Sequence, residues 1–415
     1  MEAAYSGWVD RRKSGFPNFR GKFLNSFGEG ETKVNIKTTL KASVAAAALF
    51  AVAVPVAEAG TISNGNGNSV TISGQISKGV MYLDDGKDTN TAVVDHDNSG
   101  SRFRILGSGK VNEAVSVGTA LEMEFQDNAG NNFMVNDSNG SGNAGVGNSG
   151  FGQTTFNQRR VEAFISHKQF GKVSVGQGPS ASDGTAETSL NSAGMAVYGG
   201  ATMFADVVIR TANQANNVFG TQDWGDEYTN FDGAGRTDRV RYDSPTFAGF
   251  QVATSAISGG AGDVALKYGG KFSSIAVKAA ASYLNNASIG TTIDSQWVVS
   301  GAAEHDSGLN IRGHFGKADK ADSTLDDRQG YNVTLGYDAS LTSMGTTAFA
   351  VGYNQIDNMN ADDDEATFWE FGVVQHLKDA GTELYVGVNM AEHEDVSATN
   401  YEQILGVIAG TRIKF

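Results

Sequence analysis

The segment Val115–Phe125 reads VSVGTALEMEF, and its apolar side chains recur at every second residue. Its odd-numbered positions form a largely apolar face, whereas Glu122 and Glu124 lie on the opposite face. Because successive side chains of a β-strand point to opposite sides, this period indicates a strand with one apolar and one polar face. The segments SIAVKAAASYL (274–284) and NIRGHF (310–315) repeat the period.

Sixteen segments of this kind follow one another along the chain. They are 69–83, 100–108, 114–126, 155–167, 172–178, 237–243, 247–258, 261–270, 273–284, 294–305, 309–317, 329–338, 346–356, 365–377, 382–393 and 401–415. The connections after odd-numbered segments are mostly long and polar, such as 84–99 and 127–154, whereas 244–246 and 306–308 are short turns after even-numbered ones. Short turns at one end and long loops at the other are typical of a transmembrane antiparallel β-barrel.

A large soluble β-sandwich or lectin-like protein would also alternate. Many segments here run 10–13 residues, which matches a tilted membrane crossing of about 9–11 residues better than a typical soluble strand of about 5–6. The polar faces carry Arg, Lys and Glu in mid-strand, which suits a wet lumen. The chain has 53 glycines but only four prolines, as expected where a proline would remove a hydrogen bond from a ladder. The sequence therefore predicts an all-β, membrane-spanning barrel.

Residues 34–59 are predicted to form a signal peptide. Two lysines precede an apolar stretch (42–56), and the small-x-small pattern that ends at Ala59 predicts cleavage before Gly60. A short membrane anchor is the alternative, but a helix of this length would rise only about 22 Å against a hydrocarbon core of roughly 30 Å. Residues 1–33 show no periodic apolar pattern, and we interpret them as an over-extended or non-translated N-terminus.

Charge and motif content exclude several classes of function. Cleavage before Gly60 would remove 5 acidic and 8 basic side chains, leaving 41 acidic and 23 basic groups and a net charge of −18. A nucleic-acid partner would need a basic face. The six histidines lack the spacing of a zinc site, and no nucleophile elbow or phosphate-binding loop is present. We therefore expect no enzyme, no metal site and no cofactor.

Five arginines lie on polar faces of the predicted strands; they are Arg102, Arg104, Arg160, Arg239 and Arg241. An arginine that faces lipid costs roughly 2–4 kcal/mol at the midplane, so five would cost on the order of 10–20 kcal/mol. That cost is comparable with the net stability of a typical domain. These side chains are therefore expected to face the lumen or its mouth.

Four stretches of the chain resemble the general porins of Gram-negative bacteria. NSGSRFRILG (98–107) resembles the second-strand signature of that family, and FNQRRVEAFISHKQFGKVSVGQG (156–178) resembles its F-N-R-R hairpin. DRVRYDSPTFAGFQV (238–252) is similar to the family stretch V-R-Y-D-S-P-x-F-A-G-F, and the chain ends in TRIKF (411–415) with the terminal phenylalanine of the family. The matches fall in order and cover residues 69–415.

The resemblance implies a homotrimer of sixteen-stranded barrels, each narrowed by a third long loop (179–236) that folds inward. It also implies that loop carboxylates lie across the pore from wall arginines, which are the five named above. The loop candidates are Asp183, Glu187 and Asp206, with a second acidic group of Asp223, Asp226, Glu227 and Asp232. Any one of these acids could equally be an ordinary solvated loop residue. Phe415 resembles the signal read by the barrel-insertion machinery, although it could simply belong to an aromatic girdle.

The chain departs from the family pattern at three positions. Gln177 replaces an expected lumen arginine, and Gln75 stands where some relatives carry lysine, so the wall carries less positive charge. Lys78 falls on the apolar register of its strand, which indicates a subunit contact, a snorkelling side chain or a slipped register.

The function implied is passive diffusion of small hydrophilic solutes and ions across the outer membrane of a Gram-negative bacterium. An acidic mouth concentrates cations, so we expect a weak cation preference. The alternatives are a substrate-selective channel and a non-conducting adhesin or structural barrel. Expected partners are outer-membrane lipid, lipopolysaccharide, periplasmic chaperones and the insertion machinery.

Overall fold

The structure is a computed structural model. It describes residues 60–63, 65, 67–126, 130, 155–199, 203, 207–211, 223–286, 292–396 and 400–415. The predicted signal peptide with Ala59, the N-terminal extension before it and the candidate loop acid Asp206 lie outside the described residues.

Within these residues, eighteen antiparallel strands form a single sheet. They are β1 (Gly60–Ser63), β2 (Asn68–Asp84), β3 (Thr89–Asp95), β4 (Ser101–Lys110), β5 (Val115–Gln126), β6 (Thr155–His167), β7 (Gly171–Pro179), β8 (Arg236–Asp243), β9 (Phe250–Ile257), β10 (Gly262–Phe272), β11 (Ile275–Asn285), β12 (Ile293–His305), β13 (Leu309–Lys320), β14 (Arg328–Thr342), β15 (Gly345–Asp357), β16 (Glu365–Leu377), β17 (Thr382–Glu394) and β18 (Ile404–Lys414). A one-turn helix, α1, spans Trp224–Glu227. No helix in the described part of the chain is long and apolar enough to cross a membrane.

Sixteen of these strands close into a ring. Each strand from β4 to β18 pairs with the next, and β2 closes the ring by pairing with β18 on one side and β4 on the other. The predicted sixteen-stranded antiparallel barrel is therefore confirmed, and every predicted segment overlaps one strand of the ring. The two further strands, β1 and β3, extend the ladder of β2 and were not predicted from the sequence.

The strand β1 continues the line of β18 along one edge of β2. β18 pairs with residues 75–84 of β2, while β1 pairs with residues 69–72 on the same side, opposite β4. At the junction, the backbone of Phe415 exchanges two hydrogen bonds with Gly74, of 2.8 and 3.0 Å. The two ends of the described barrel therefore share one strand position.

The alternating side chains separate into an apolar outer face and a polar inner face. On the outside, Val240 is 49% exposed and Leu335 is 52% exposed. Aromatic rings adjoin one another there, as in the pair Tyr353–Trp369 with centroids 4.7 Å apart. Most of the buried polar side chains of the strands point inward, so apolar residues meet the bilayer and polar residues meet the lumen.

The register of β2 against β18 is continuous over residues 75–84, and it places Lys78 on the outer face. Its Nζ atom lies 2.8 Å from the carboxylate of Asp95 on β3. The alternative of a slipped register is thereby excluded.

The third long connection, between β7 and β8, folds into the ring as predicted. Its aromatic residues Trp224 and Phe231 are fully buried and belong to one apolar cluster with Ile356 and Phe368 of the inner wall. Ring centroids of Trp224 and Phe368 are 6.2 Å apart. This apolar seam fixes the loop against the wall.

Candidate pore constriction

Strands β4 and β5 place a charged pair on the inner wall. Arg104 of β4 lies opposite Glu122 of β5 in the ladder, and its guanidinium nitrogens are 2.6 and 2.7 Å from a Glu122 oxygen. Arg102 lies one inward position away, 3.6 Å from the same carboxylate. The Glu122 side chain is only 3% exposed. These arginines therefore point away from lipid, as the cost of lipid exposure requires.

A β-bulge in β6 turns a further arginine toward the lumen. Glu122 pairs with Arg160 and Met123 pairs with Gln158, so Arg159 has no partner in the ladder. Such an extra residue re-aims the side chains around it. Arg159 donates hydrogen bonds of 2.7 Å to Glu122 and 3.0 Å to Glu124. Strict alternation places residue 159 on the lipid face, so the sequence analysis did not predict Arg159 as a wall residue. The signal that could have found it is the adjacent pair Arg159-Arg160 in the hairpin motif.

The wall continues on β6 and β8 with three more of the predicted arginines. Arg160 and Arg239 both contact the carboxylate of Glu162. Arg241 lies 2.6 Å from Asp243 and donates a 2.7 Å hydrogen bond to the carbonyl oxygen of Ser180, where the third loop begins. All five predicted wall arginines therefore lie on one arc of the inner wall, and each contacts a carboxylate of the same arc.

Two of the predicted loop acids lie close to a third carboxylate, Asp232. Asp232 accepts hydrogen bonds from the backbone N–H groups of Gly184 (3.0 Å) and Ala186 (3.3 Å). Burial, followed by the nearby carboxylates of Glu187 and Asp183, raises the pKa of Asp232 to about 8. Burial also raises the pKa of Glu187. This cluster therefore carries less than its full negative charge near neutral pH.

The remaining acids of the second group lie elsewhere. Asp223 caps α1 by accepting a hydrogen bond from the backbone of Asp226. Glu227 is fully buried, accepts a 2.8 Å hydrogen bond from Asn360 and lies 3.6 Å from His393. Of the second acidic group, only Asp232 joins the cluster with Asp183 and Glu187.

Two further cations, Lys267 and Arg236, have both wall arginines and loop acids as electrostatic neighbours. Lys267 of β10, which sequence reasoning did not single out, interacts with Arg241 of the wall and with Asp183 and Asp232 of the loop. Its Nζ atom donates a 3.5 Å hydrogen bond to the backbone carbonyl of Asp183. Arg236 interacts with both Arg102 and Glu187. The loop acids therefore have basic neighbours besides the five predicted wall arginines.

Wall carboxylates hold the loop by its backbone. Inner-face acids of three strands accept hydrogen bonds from loop N–H groups. These are Asp263 with Ser182 (2.8 Å), Asp338 with Ser192 (3.1 Å), and Glu370 with Tyr198 and Gly199 (2.8 Å each). Charge-assisted bonds of this kind are stronger than neutral ones. The sequence places these acids on polar faces, but no motif marks them as loop contacts.

These features describe a wide barrel narrowed by an internal loop between charged surfaces. A family model described as Gram-negative porin matches residues 42–395. The chain belongs to the Gram-negative porin family. The porin is accordingly a diffusion channel of the outer membrane, and the expectation that it is not an enzyme is confirmed by the family.

Solved porin structures share the fold at low sequence identity. An anion-selective porin from Comamonas acidovorans is 19% identical, with a TM-score of 0.54 over 84% of this chain and 100% of that one. OmpT of Vibrio cholerae without loop L8 is 14% identical, with a TM-score of 0.53 over 84% and 100%. A mutant porin of Rh. blastica is 15% identical, with a TM-score of 0.50 over 83% and 100%. No match was found among curated protein sequences.

Proposed function

We propose that this porin forms a water-filled channel for passive diffusion of small hydrophilic solutes and ions, with a weak cation preference. The observation that carries the proposal is the charged inner wall facing an acidic loop inside the ring. The constriction consists of Arg102, Arg104, Arg160, Arg239 and Arg241 on the wall and of Asp183 and Glu187 on the loop. Asp206 is a further candidate of the same loop.

The cation preference is supported by the pairing of charges. Each wall arginine contacts a carboxylate of the wall, which offsets part of the positive charge that would attract anions. The chain after Gly60 carries a net charge of −18, and an acidic mouth raises the local concentration of cations.

The function is tested by recording single-channel currents of the purified porin in a planar bilayer. We expect ohmic conductance and, in a salt gradient, a reversal potential on the cation side. Liposome swelling with sugars of graded size then separates general diffusion from a substrate-selective channel. Absence of conductance would favour a structural or adhesive barrel, and a clear anion preference would contradict the selectivity.

We further propose that the porin is exported with a signal peptide cleaved before Gly60 and assembles as a homotrimer. Cleavage is supported by the apolar stretch 42–56 and by the small-x-small pattern that ends at Ala59. Assembly is supported by a depression of about 590 Å³ on the outer face, lined in part by Gly107, Thr119 and Ala163. These residues pair across β4, β5 and β6. The ion pair of Lys78 and Asp95 lies on β2 and β3, next to the same part of the outer face. A charged pair is more favourable in a contact with another subunit than in the hydrocarbon of the membrane.

A further inference from the structure

Four carboxylates lie inside the arginine arc rather than opposite it, and two of them, Glu122 and Glu162, make most of the contacts. Glu122 is 3% exposed and lies within 3.6 Å of Arg102, 2.6 Å of Arg104 and 2.7 Å of Arg159. One oxygen faces Arg104 and the other faces Arg102 and Arg159. A single carboxylate therefore serves three guanidinium groups.

Glu162 repeats this arrangement one strand further along the wall. Its side chain is also 3% exposed, and its two oxygens contact Arg160 and Arg239 separately. Arg239 is held there as well by the backbone carbonyls of Gly176 (2.7 Å) and Pro179 (3.0 Å). Glu122 and Glu162 together contact five of the six arginines in the arc.

The charge of the arc depends strongly on these two residues. Six arginines (102, 104, 159, 160, 239 and 241) face four carboxylates (122, 124, 162 and 243), which leaves two uncompensated positive charges. Neutralising Glu122 and Glu162 would raise that surplus to four, which exceeds the charge of the loop acids Asp183, Glu187 and Asp232 even when all three are ionised. Salt screens buried charges less than exposed ones, so the surplus would act on ions in the lumen.

We propose that Glu122 and Glu162 are specificity-determining residues, which offset part of the positive charge of the arginine wall so that the loop acids set the ion preference. This inference rests on the proposed diffusion channel. It explains how a wall with six arginines is compatible with a weak cation preference.

The test replaces each carboxylate by its neutral isostere, as Glu122→Gln, Glu162→Gln and the double variant. Each single variant is expected to lower the cation-to-anion permeability ratio about twofold, and the double variant should prefer anions. Glu113→Gln is the control, because Glu113 is 87% exposed in a turn and pairs with Lys110. It removes the same charge outside the arc and should leave the ratio unchanged.

A rescue variant separates charge from folding. Glu122→Gln leaves buried guanidinium groups without their acceptor and could impair assembly. Arg104→Gln combined with Glu122→Gln restores the net charge of the arc, and its permeability ratio should return to that of the unmodified porin. Arg104→Gln alone should raise the ratio. The permeability ratios of Arg104→Gln and of the double variant Arg104→Gln/Glu122→Gln test the proposal even if Glu122→Gln alone does not assemble.

The outcomes distinguish the two proposals. Conducting channels whose permeability ratio is the same in all variants would overturn the role of Glu122 and Glu162 but leave the diffusion channel intact. If the unmodified porin itself fails to conduct, the proposed function is wrong.

Discussion

Asp232 makes the charge of the third loop depend on pH in the neutral range. Its pKa is raised to about 8, so its carboxyl group is neutral below that value and negative above it. Raising the pH from about 6 to about 9 should therefore increase the cation-to-anion permeability ratio, by about twofold. Reversal potentials measured across this range check the expectation.

The variant Asp232→Asn should flatten that pH dependence, because its side chain does not titrate. Asp226→Asn is a suitable control, since the Asp226 side chain is exposed on α1 away from the cluster. An unchanged pH profile in the Asp232 variant would assign the dependence to another group.

For single residues, the alternation of side chains along each strand predicted most of the arginines that face inward. Arg102, Arg104, Arg239 and Arg241 all lie where a period of two predicts. Arg159 does not, because the bulge in β6 adds a residue that no local pattern reveals. The acid partners of the arginines also lie on other strands, and one sequence does not show which strand segments stand side by side.

At the scale of the element, the third loop is a packed part of the barrel. Glu370 is the strongest candidate for anchoring it, because it accepts two loop hydrogen bonds and is only 2% exposed. Glu370→Ala removes both acceptors, at about 1–3 kcal/mol for each buried N–H group left unsatisfied. We expect larger current fluctuations and a changed mean conductance.

Single-channel recordings of Glu370→Ala beside Glu113→Ala test this role. The control removes the same side chain from an exposed turn. Equal current noise in both variants would show that the apolar seam and the bonds to Asp263 and Asp338 hold the loop without Glu370.

The sequence predicted the sixteen ring strands because each presents a long apolar face to lipid. β1 has only four residues, and in β3 (TNTAVVD) the apolar residues are consecutive rather than alternating. The inward path of the third loop followed from family resemblance alone. Its anchoring by Asp263, Asp338 and Glu370 depends on contacts between residues far apart in the chain, which local patterns do not encode.

At the scale of the whole molecule, the outer depression offers a test of assembly. Ala163→Arg would place a charge in the proposed subunit contact. Ala279→Arg is the matched control, because Ala279 is an outward alanine on β11, also four residues from the short-turn end of its strand. If both positions face lipid, each substitution destabilises the barrel by a similar amount, roughly 2–4 kcal/mol or less.

We expect the Ala163 variant to lose the trimer and the Ala279 variant to keep it. Electrophoresis without heating and native mass measurement report the oligomeric state. A trimer that survives Ala163→Arg would place the subunit contact on another sector.

Because β18 and β1 lie end to end beside β2, the first and last strands of the described barrel occupy one strand position. Phe415 adjoins Gly74 and Gly60 pairs with Ile72, so the two ends are separated by two residues of β2, roughly 7 Å. One or two glycines would join them. A circular permutant joined there and reopened in the turn at 306–308 should insert into lipid and conduct like the parent, since every ladder of the ring survives the rearrangement.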